Sequence, residues 1–511
     1  MSKLLARSVL LSAAVLLGQI AHSQPTLDRP LDEPVPYHAD SGWVENRATL
    51  PAIAYTETVF VDGAGWLRLY FGQVELGAGS FLRVTSELDG ESQELDEDAL
   101  EMWSHTSAYF NGDSVVLELV AGPATSINRV VVERVSWEAG VAVPTGICGI
   151  CGVDDRVPSH VDWTARLLPD GCSASIYNTL SCAVSAGHCV GGSMVLEFRV
   201  PPSNPDCTLN HPPVADQFPV TDAEFHVGGI GNDWAAMAVG TNGEEQKPYA
   251  RYGEFRPLAQ GSPEVGEPVS VWGYGTDSQC TRNQVQQKAD GEVFSAQDLA
   301  FRYTVDVAPG NSGSAVMRAG EEILGIVTHC PCPNHATRVD HPVFTAGRAE
   351  VCQNEGIEAQ LTSATVITGT HVSGTLFSLG VPGGNHWVVD SVTQGTRNNT
   401  LTEIGAKLPL STVSGLGLTV QYGIANAFPV FQSLQFFNYE TEEFVSVSFS
   451  IVSPTGPTYL FYPEIPSPND YVSDQGEIRL RVAQTAREPQ TPDGFTKKIA
   501  YVSILGFPIV E

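Results

Sequence analysis

Basic side chains are scarce in this sequence. Of its 511 residues, 27 are Lys or Arg and 58 are Asp or Glu, which gives a formal net charge of −31. Such a chain is repelled by nucleic-acid phosphates and by anionic membrane surfaces, so neither is expected as a partner. The same charge suits a soluble acidic protein, but it identifies no substrate.

Long apolar runs are missing after the N-terminus, and none there reaches the roughly 20 residues that a membrane-spanning helix needs. The first residues differ, because Lys3 and Arg7 precede an apolar stretch at 8–17. Ala21 and Ser23 then place small side chains at the two positions that a signal peptidase reads. The pattern predicts a signal peptide at 1–23 and a secreted mature protein without a membrane anchor.

Cysteine is absent from both ends of the chain. The ten cysteines are Cys148, Cys151, Cys172, Cys182, Cys189, Cys207, Cys280, Cys330, Cys332 and Cys352. A chain of this length is too long for one core, and at roughly 100–200 residues per domain it should hold several domains. The cysteine distribution divides it into an N-terminal domain at 24–145, a middle domain at 146–358 and a C-terminal domain at 360–511.

The cysteines are expected to form disulfides, because their count is even and the protein is predicted to be exported. The alternative is a zinc site, for which CGIC at 148–151 and CPCPNH at 330–335 offer thiolates. The second motif has one residue between its cysteines, which is tighter than the usual zinc spacing. The sequence therefore predicts no metal.

Long amphipathic helical windows are also scarce, whereas short strand-like segments separated by turn residues are frequent. Segments such as 112–120 and 127–137 before the cysteines, and 416–422 and 444–450 after them, alternate or run apolar. Such patterns, bounded by turns, are typical of β-strands. The sequence thus predicts an all-β protein whose N-terminal and C-terminal domains are β-sandwich-like.

The stretch APGNSGSAV at 308–316 places a hydroxyl between two glycines. One interpretation is a plain turn, since Gly, Asn, Ser and Pro are common turn formers. The other is that Ser312 is a nucleophile and that Gly310 keeps the backbone bare, so that amide groups can face an oxyanion. These nine residues do not decide between the two interpretations, but the rest of the middle domain does.

Two other segments supply the partners that a serine nucleophile needs. LSCAVSAGHCV at 180–190 is a short apolar strand that leads into His188, with small residues just before it. GIGNDWAAMAVG at 229–240 places Asp233 at the start of an apolar run, where a carboxylate needs a partner such as a histidine N–H. Asp222 is the rival carboxylate and ranks second, because no such run follows it.

The chemistry requires all three residue types. A serine hydroxyl is a weak nucleophile, so a histidine must take its proton and a carboxylate must orient that histidine. We therefore predict Ser312 as the nucleophile, His188 as the general base and Asp233 as the orienting carboxylate. The backbone N–H groups of Gly310 and Ser312 are predicted to form the oxyanion hole. The order His, Asp, Ser differs from that of an α/β-hydrolase, in which the histidine comes last.

The motifs AVSAGHC, NDWAAM and PGNSGSAV, in this order, resemble those of the chymotrypsin/trypsin-like serine peptidases. The sequence is most similar to the bacterial secreted branch that includes the glutamyl endopeptidases. The resemblance covers the middle domain and implies a double β-barrel with the active site in the cleft between the barrels. It also implies a disulfide between Cys172 and Cys189, and it places Thr328 on the strand that lines the substrate cleft.

The sequence departs from the animal trypsins at Asn311. Those enzymes have an aspartate there that pairs with a newly freed N-terminal ammonium, and an uncharged amide cannot form that ion pair. We therefore expect the oxyanion loop to form without a new N-terminus. If the protein is a zymogen, its N-terminal domain would cover the cleft or assist folding, with Arg156 and Arg166 as candidate processing points. The alternative is a permanent accessory domain.

The substrate pocket decides specificity, and its candidate residues are Asp306, Thr328 and His329. Asp306 lies at the position where trypsins place the carboxylate that binds Lys or Arg side chains. Bacterial relatives often have an aspartate here without that preference, and Ala308 replaces a cysteine of the trypsins. Glutamyl endopeptidases often have a histidine where this sequence has Val327, although His329 is only two residues further on.

The sequence as a whole predicts a secreted serine endopeptidase that acts through an acyl-enzyme intermediate and needs no cofactor. Its expected partner is a protein or peptide substrate. The alternatives are a catalytically inactive binding or adhesion protein on the same fold, and an esterase that uses the same triad. The C-terminal domain has no catalytic constellation, and its candidate uses are carbohydrate binding, protein binding and surface attachment.

Overall fold

The structure, a computed structural model, covers most of the chain. It describes residues 22–23, 34–138, 149–259, 261–352, 357–379, 386–408, 410–413, 415–425, 430–452, 458–462, 465, 467–487 and 494–507. All but the last two residues of the predicted signal peptide lie outside this part. Among the described helices, none has the length and apolar character needed to cross a membrane. Strands dominate throughout, so the all-β prediction is confirmed.

The region 34–138 folds into two antiparallel sheets. Its elements, after a two-residue strand His22–Ser23 (β1), are Val35–Asp40 (β2), Val44–Asn46 (β3), Ala52–Phe60 (β4), Trp66–Glu75 (β5), Phe81–Ser86 (β6), Ser92–Leu95 (β7), helix Glu97–Met102 (α1), Phe110–Asn111 (β8), Ser114–Ala121 (β9) and Thr125–Trp137 (β10). One sheet has the order β2-β10-β5-β8 with β3 beside β10, and the other has the order β4-β9-β6-β7. Their shared core continues into the middle region through Leu168, Val195 and Val214.

The middle region begins with a closed barrel. Its elements, after a short strand Val157–Pro158 (β11), are Thr164–Leu168 (β12), Cys172–Ile176 (β13), Ala183–Ser185 (β14), Val195–Glu197 (β15), Gln217–Val227 (β16) and Asp233–Val239 (β17). The order around the barrel is β12-β13-β14-β17-β16-β15. Small and branched side chains such as Leu167, Ala174 and Ala236 fill its interior, as a narrow barrel requires.

A second ring of strands follows. The elements are helix Pro248–Tyr252 (α2), Pro268–Gly273 (β18), Gln287–Ala296 (β19), Ala300–Tyr303 (β20), Ala315–Arg318 (β21), Glu322–Cys330 (β22), Asn334–Arg338 (β23) and helix Pro342–Val351 (α3). Pairing runs β18-β19-β20-β23-β22-β21, and β21 pairs with β18 to close the ring. β1 and β11 attach to β22 and β19. Two successive barrels confirm the predicted trypsin-like double barrel.

The C-terminal region adds two further sheets around a separate core. Its elements are Ile357–Glu358 (β24), Gln360–Thr368 (β25), Thr370–Ser373 (β26), helix Leu376–Leu379 (α4), Trp387–Asp390 (β27), Val392–Gln394 (β28), Arg397–Lys407 (β29), Gly415–Ala425 (β30), Val430–Asn438 (β31), Glu443–Val452 (β32), Thr458–Tyr462 (β33), Glu477–Arg487 (β34) and Thr496–Phe507 (β35). The sheets have the orders β26-β27-β35-β30-β33 and β25-β29-β34-β31-β32. Leu418, Ile404 and Leu480 lie in the core between them. The domain limits drawn from the sequence stay predictions.

Four disulfides join described cysteines. The pairs are Cys151–Cys332, Cys172–Cys189, Cys182–Cys352 and Cys207–Cys280. Cys330 is disulfide-bonded as well. Cys151 and Cys332 come from the two motifs that offered thiolates for zinc, and their mutual bridge leaves neither sulfur as a ligand.

Candidate active site

His188 and Asp233 form a hydrogen-bonded pair on the first barrel. His188 lies in the 3-10 turn Gly187–Cys189 just after β14, and Asp233 is the first residue of the neighbouring strand β17. His188 Nδ1 lies 2.6 Å from Asp233 Oδ2, and the His188 backbone N–H donates to Asp233 Oδ1 at 3.1 Å. The carboxylate is buried, whereas the imidazole is partly exposed. With its proton on Nδ1, the ring presents Nε2 as an acceptor on its far side.

Gly187 allows the histidine turn to approach β16 and β17 closely. A Cβ at this position would lie 2.1 Å from the carbonyl oxygen of His226 and 2.9 Å from that of Trp234. Both atoms belong to strand backbones, which cannot move aside. The small residue that precedes His188 in the sequence is therefore a steric requirement of this turn.

The second barrel contacts the pair from its own strands. Thr337 on β23 donates its hydroxyl to the backbone oxygen of Asp233 at 2.8 Å. His329 on β22 lies near enough that Asp233 and His188 influence its pKa, which burial, the largest cause, lowers overall. Burial likewise lowers the pKa of His335, the cross-strand neighbour of His329, to about 4. Burial thus favours the neutral form of both imidazoles.

Ser312 lies on a buried loop that adjoins the histidine turn. The backbone N–H of Ser173 donates to the Ser312 carbonyl at 2.8 Å, and the residue before it, Cys172, is bridged to Cys189. The two bridge sulfurs lie within 4.8 Å of a ring nitrogen of His188. The disulfide that lies beside His188 thus belongs to the strand whose next residue, Ser173, bonds to Ser312.

The side-chain hydroxyl of Ser312 and the outer ring nitrogen of His188 share one property. Ser312 Oγ and His188 Nε2 are buried, and neither has a hydrogen-bond partner among the residues that the structure describes. Other buried polar atoms of the described residues also lack a partner, but these two belong to neighbouring segments and are a hydroxyl and an imidazole nitrogen. In unliganded active sites, the contact between nucleophile and base often tightens only when substrate is present.

The backbone at 310–312 is buried, and two of its N–H groups have no acceptor within the described protein. Gly310 has φ +95°, a conformation that side-chain-bearing residues rarely adopt. The N–H groups of Asn311 and Gly313 donate to Ala308 and Val327. Within the described part of the chain, no protein acceptor receives the N–H of Gly310 or Ser312. Both N–H groups are therefore available to an acceptor from outside the described protein residues.

Asn311 closes this loop on itself. Its Oδ1 accepts the backbone N–H of Ala308 at 3.0 Å, and its Nδ2 lies 3.4 Å from Ser314 Oγ. The side chain is buried, and both of its bonds remain within the loop.

The three pocket candidates have different surroundings. Asp306 is buried, and its two carboxylate oxygens accept the backbone N–H groups of Cys151 and Asp155 at 2.6 and 2.9 Å. Thr328 Oγ1 points to the backbone oxygen of His335 at 3.4 Å. His329 follows on the same strand, close to the catalytic candidates. Asp306 thus ties down the segment before the first barrel.

The remaining candidates from the sequence lie elsewhere. Asp222 is exposed and accepts the backbone N–H of its neighbour Ala223, so the structure pairs the other carboxylate with His188. Arg156 and Arg166, the candidate processing points, are both buried and ion-paired. In the folded protein, neither arginine is accessible to a protease.

Sequence reasoning missed two residues of this site, Thr337 and Gln284. The side chain of Gln284 packs against the backbone of Gly310, because a Cβ built on Gly310 would lie only 2.2 Å from Gln284 Nε2. Thr337 contacts Asp233 across 104 positions of the chain. Neither residue belongs to a motif, and their partners are distant in sequence, so no local signal identifies them.

Residues 150–346 match the trypsin family model. A solved structure of a Glu endopeptidase is similar at 18% identity, with 39% of this chain and 96% of that chain covered and a TM-score of 0.31. A mutant of human heparin binding protein is similar at 13% identity, with 40% and 98% covered and a TM-score of 0.30. A thermostable serine protease from an extremophilic microorganism is similar at 16% identity, with 35% and 90% covered and a TM-score of 0.28. No curated protein matches.

The family match and the two barrels agree with each other. Residues 150–346 thus match the trypsin family in sequence and form two successive barrels, as the sequence resemblance predicts.

Proposed function

We propose that the protein is a serine endopeptidase whose triad is Ser312, His188 and Asp233. The observation that carries this proposal is the short bond between His188 and Asp233, with the opposite ring nitrogen buried and unpaired beside the loop of Ser312. The two unpaired amides at Gly310 and Ser312 add an oxyanion receptor to the same loop.

The proposed reaction uses only groups of this chain and water. Ser312 Oγ attacks the scissile carbonyl carbon while His188 Nε2 takes its proton, and the carbonyl oxygen becomes an anion held by the N–H groups of Gly310 and Ser312. The C–N bond then breaks, and His188 returns the proton to the leaving amine. Water attacks the acyl-enzyme in the same way, which releases the acid and restores the serine. Asp233 stabilises the imidazolium in both steps.

A serine-directed fluorophosphonate tests the nucleophile. The full chain is expected to react at Ser312, and Ser312→Ala is expected to abolish labelling. Ser175→Ala is the matched control, because this hydroxyl is also buried but lies on β13 and bonds to Thr164. Wild-type protein that never labels would indicate an inactive binding protein, whereas ester turnover without peptide cleavage would indicate an esterase.

The orienting carboxylate needs a separate test. Asp233→Asn is expected to lower kcat by about 10⁴-fold, because the amide favours the wrong tautomer of His188. Steady-state hydrolysis of a peptide ester measures this change. Asp222→Asn is the control, since that carboxylate is exposed and unconnected to the histidine. A similar loss in both variants would contradict the assignment of Asp233.

We also propose that the protein is secreted and that its partner is a protein or peptide substrate. The disulfides of the middle region suit an oxidising compartment. For the C-terminal domain, carbohydrate or surface binding stays a prediction. Its Trp387 is buried against His371, with ring centroids 4.3 Å apart, and so offers no exposed platform for a sugar.

A further inference from the structure

The N-terminal domain contacts His211 of the middle region in two ways: it packs against the ring and forms hydrogen bonds with the backbone. Tyr109 stacks on His211 with ring centroids 4.7 Å apart and planes inclined by 7°, and Trp66 packs edge-on at 5.1 Å. Asn111 donates its side-chain N–H to the His211 carbonyl and accepts the His211 backbone N–H, both at 2.9 Å. This loop of the peptidase domain is therefore fixed by residues outside that domain.

His211 belongs to a buried group of charges. Its Nδ1 lies 2.6 Å from Glu197 Oε1, and Arg166 donates to Glu197 Oε2 through Nε at 2.9 Å and Nη2 at 2.6 Å. Burial alone would raise the pKa of Glu197, but His211 and Arg166 lower it overall. Removing one member of such a group leaves an uncompensated buried charge, so the three side chains depend on each other.

Arg166 also contacts Gln284. Its Nη1 donates to the Gln284 carbonyl at 3.2 Å. Gln284 is buried with φ +55°, a left-handed conformation that persists in a residue with a side chain only where the surroundings hold it. Its Nε2 donates to the Tyr274 carbonyl at 2.7 Å and lies directly against Gly310. The contacts therefore run without a break from Tyr109 to the oxyanion loop.

We propose that Gln284 is a positioning residue for the oxyanion amide of Gly310, and that the N-terminal domain supports it through His211, Glu197 and Arg166. This inference rests on the proposed peptidase function. Ser173 already holds this loop from outside, through its N–H to the Ser312 carbonyl and its hydroxyl to the Gly310 carbonyl, both at 2.8 Å. Gln284 adds a contact on the side of Gly310 where a Cβ would lie, whereas the Asn311 side chain bonds only within its own loop. The N-terminal domain is then part of the machinery that shapes the active site.

The first test compares two buried glutamines. Gln284→Ala is expected to lower kcat by about 10–100-fold with little change in KM, because oxyanion contacts strengthen only in the transition state. The affinity for a peptide aldehyde, whose adduct with the serine carries an oxyanion, is expected to fall by the same factor. Gln286→Ala is the control, since Gln286 bonds to Val161 and the Tyr274 hydroxyl. Its kcat is expected to stay within about twofold of wild type.

The second test compares two asparagines of the N-terminal domain in the full chain, the half-buried Asn111 and the buried Asn46. Asn111→Ala removes both bonds to the His211 backbone and is expected to lower kcat by about 2–30-fold. Asn46→Ala removes bonds to Leu50, Ala121 and Gly122 inside the same domain. It destabilises the domain without touching the peptidase region, so its kcat is expected to match wild type at temperatures where both variants are folded.

Hydrogen–deuterium exchange provides a readout that needs no activity. In a Ser312→Ala background, exchange at 309–313 is expected to rise with Gln284→Ala and Asn111→Ala, but not with the two controls. Unchanged exchange, or equal losses of kcat in variants and controls, would overturn the positioning role. Wild-type protein that neither labels nor hydrolyses would instead refute the proposed function, while the exchange data still decide whether the contacts position the loop.

Discussion

At the scale of single residues, Asp306 occupies the position at which trypsins bind a basic substrate side chain, but here it bonds to the protein's own backbone. Both of its carboxylate oxygens accept backbone N–H groups, from Cys151 and Asp155. Burial and the nearby Asp306 raise the pKa of Asp155, so negative charge is already unfavourable there. A carboxylate engaged in this way is a structural anchor, and we expect it to contribute little to binding a cationic side chain.

Replacing Asp306 with Asn tests this role. The amide nitrogen cannot accept one of the two backbone N–H groups, so the free energy of unfolding is expected to fall by about 1–3 kcal/mol. The relative kcat/KM for peptides with Arg, Glu or Leu before the scissile bond is expected to stay unchanged. Urea unfolding and a matched peptide series measure the two effects. A selective loss of cleavage after Arg would show instead that Asp306 binds substrate.

The site residues that the sequence predicts are those with local chemical signals. His188 follows small residues at the end of a strand, Asp233 opens an apolar strand, and Ser312 stands between glycines. Gln284 and Glu197 have no such signal. Arg166, which donates to the Gln284 carbonyl, is 118 positions away in the sequence, and the partners of Glu197, Arg166 and His211, are 31 and 14 positions away. Local sequence describes the environment of one residue, whereas these contacts depend on how distant strands are packed.

At the scale of elements, strand β35 contains a charged residue inside the C-terminal core. Lys497 is fully buried, and its ammonium donates to the carbonyl of Val482 on the facing sheet at 3.0 Å. Burial lowers the pKa of Lys497 to about 7. Alternation along a strand predicts which side chains face inward, but it does not predict that one of them is a lysine.

The pKa of Lys497 predicts how stability depends on pH. Between pH 7 and 10.5, the unfolded chain binds more protons at this residue than the folded chain, so the free energy of unfolding rises with pH across that window. Lys497→Met is expected to abolish this contribution and to stabilise the C-terminal domain near pH 7 by about 1–3 kcal/mol. Urea unfolding at pH 7 and 9.5 measures both. Lys498→Met, on the exposed side of β35, is the control, and an undiminished rise in the Lys497 variant would contradict the prediction.

The fold class was more accessible to sequence reasoning than the packing between regions. Short alternating segments such as 127–137 and 416–422 fall within β10 and β30, because a two-residue period follows directly from strand geometry. The contacts of Tyr109 and Asn111 with the first barrel could not be predicted, since they depend on the orientation of one sheet against another.

At the scale of the whole molecule, the N-terminal domain and the first barrel share a core. Leu168, Val195 and Val214 of the barrel region pack into the apolar cluster of the N-terminal sheets, and Tyr109 exchanges two hydrogen bonds with Gln217. A covering segment that is released after cleavage would not be expected to complete the core of its target. On this ground we propose that the N-terminal domain is a permanent accessory domain.

A cleavage site inserted within 139–148 tests whether the domain stays attached. After cutting, the two pieces are expected to co-elute in gel filtration under native conditions, because the shared core and the buried hydrogen bonds remain. They should separate in 6 M urea, since every cysteine lies on one side of the cut. Separation in native buffer would support a removable propeptide.

The bridge between Cys182 and Cys352 has a topological consequence. It closes a covalent ring spanning a sequence separation of 170 residues, and His188, Asp233 and Ser312 all belong to that ring. One backbone cut anywhere within the ring opens it but divides nothing, so the nicked molecule retains its full mass until a reductant is added. A first internal cut in this ring by any protease therefore releases no fragment from the molecule.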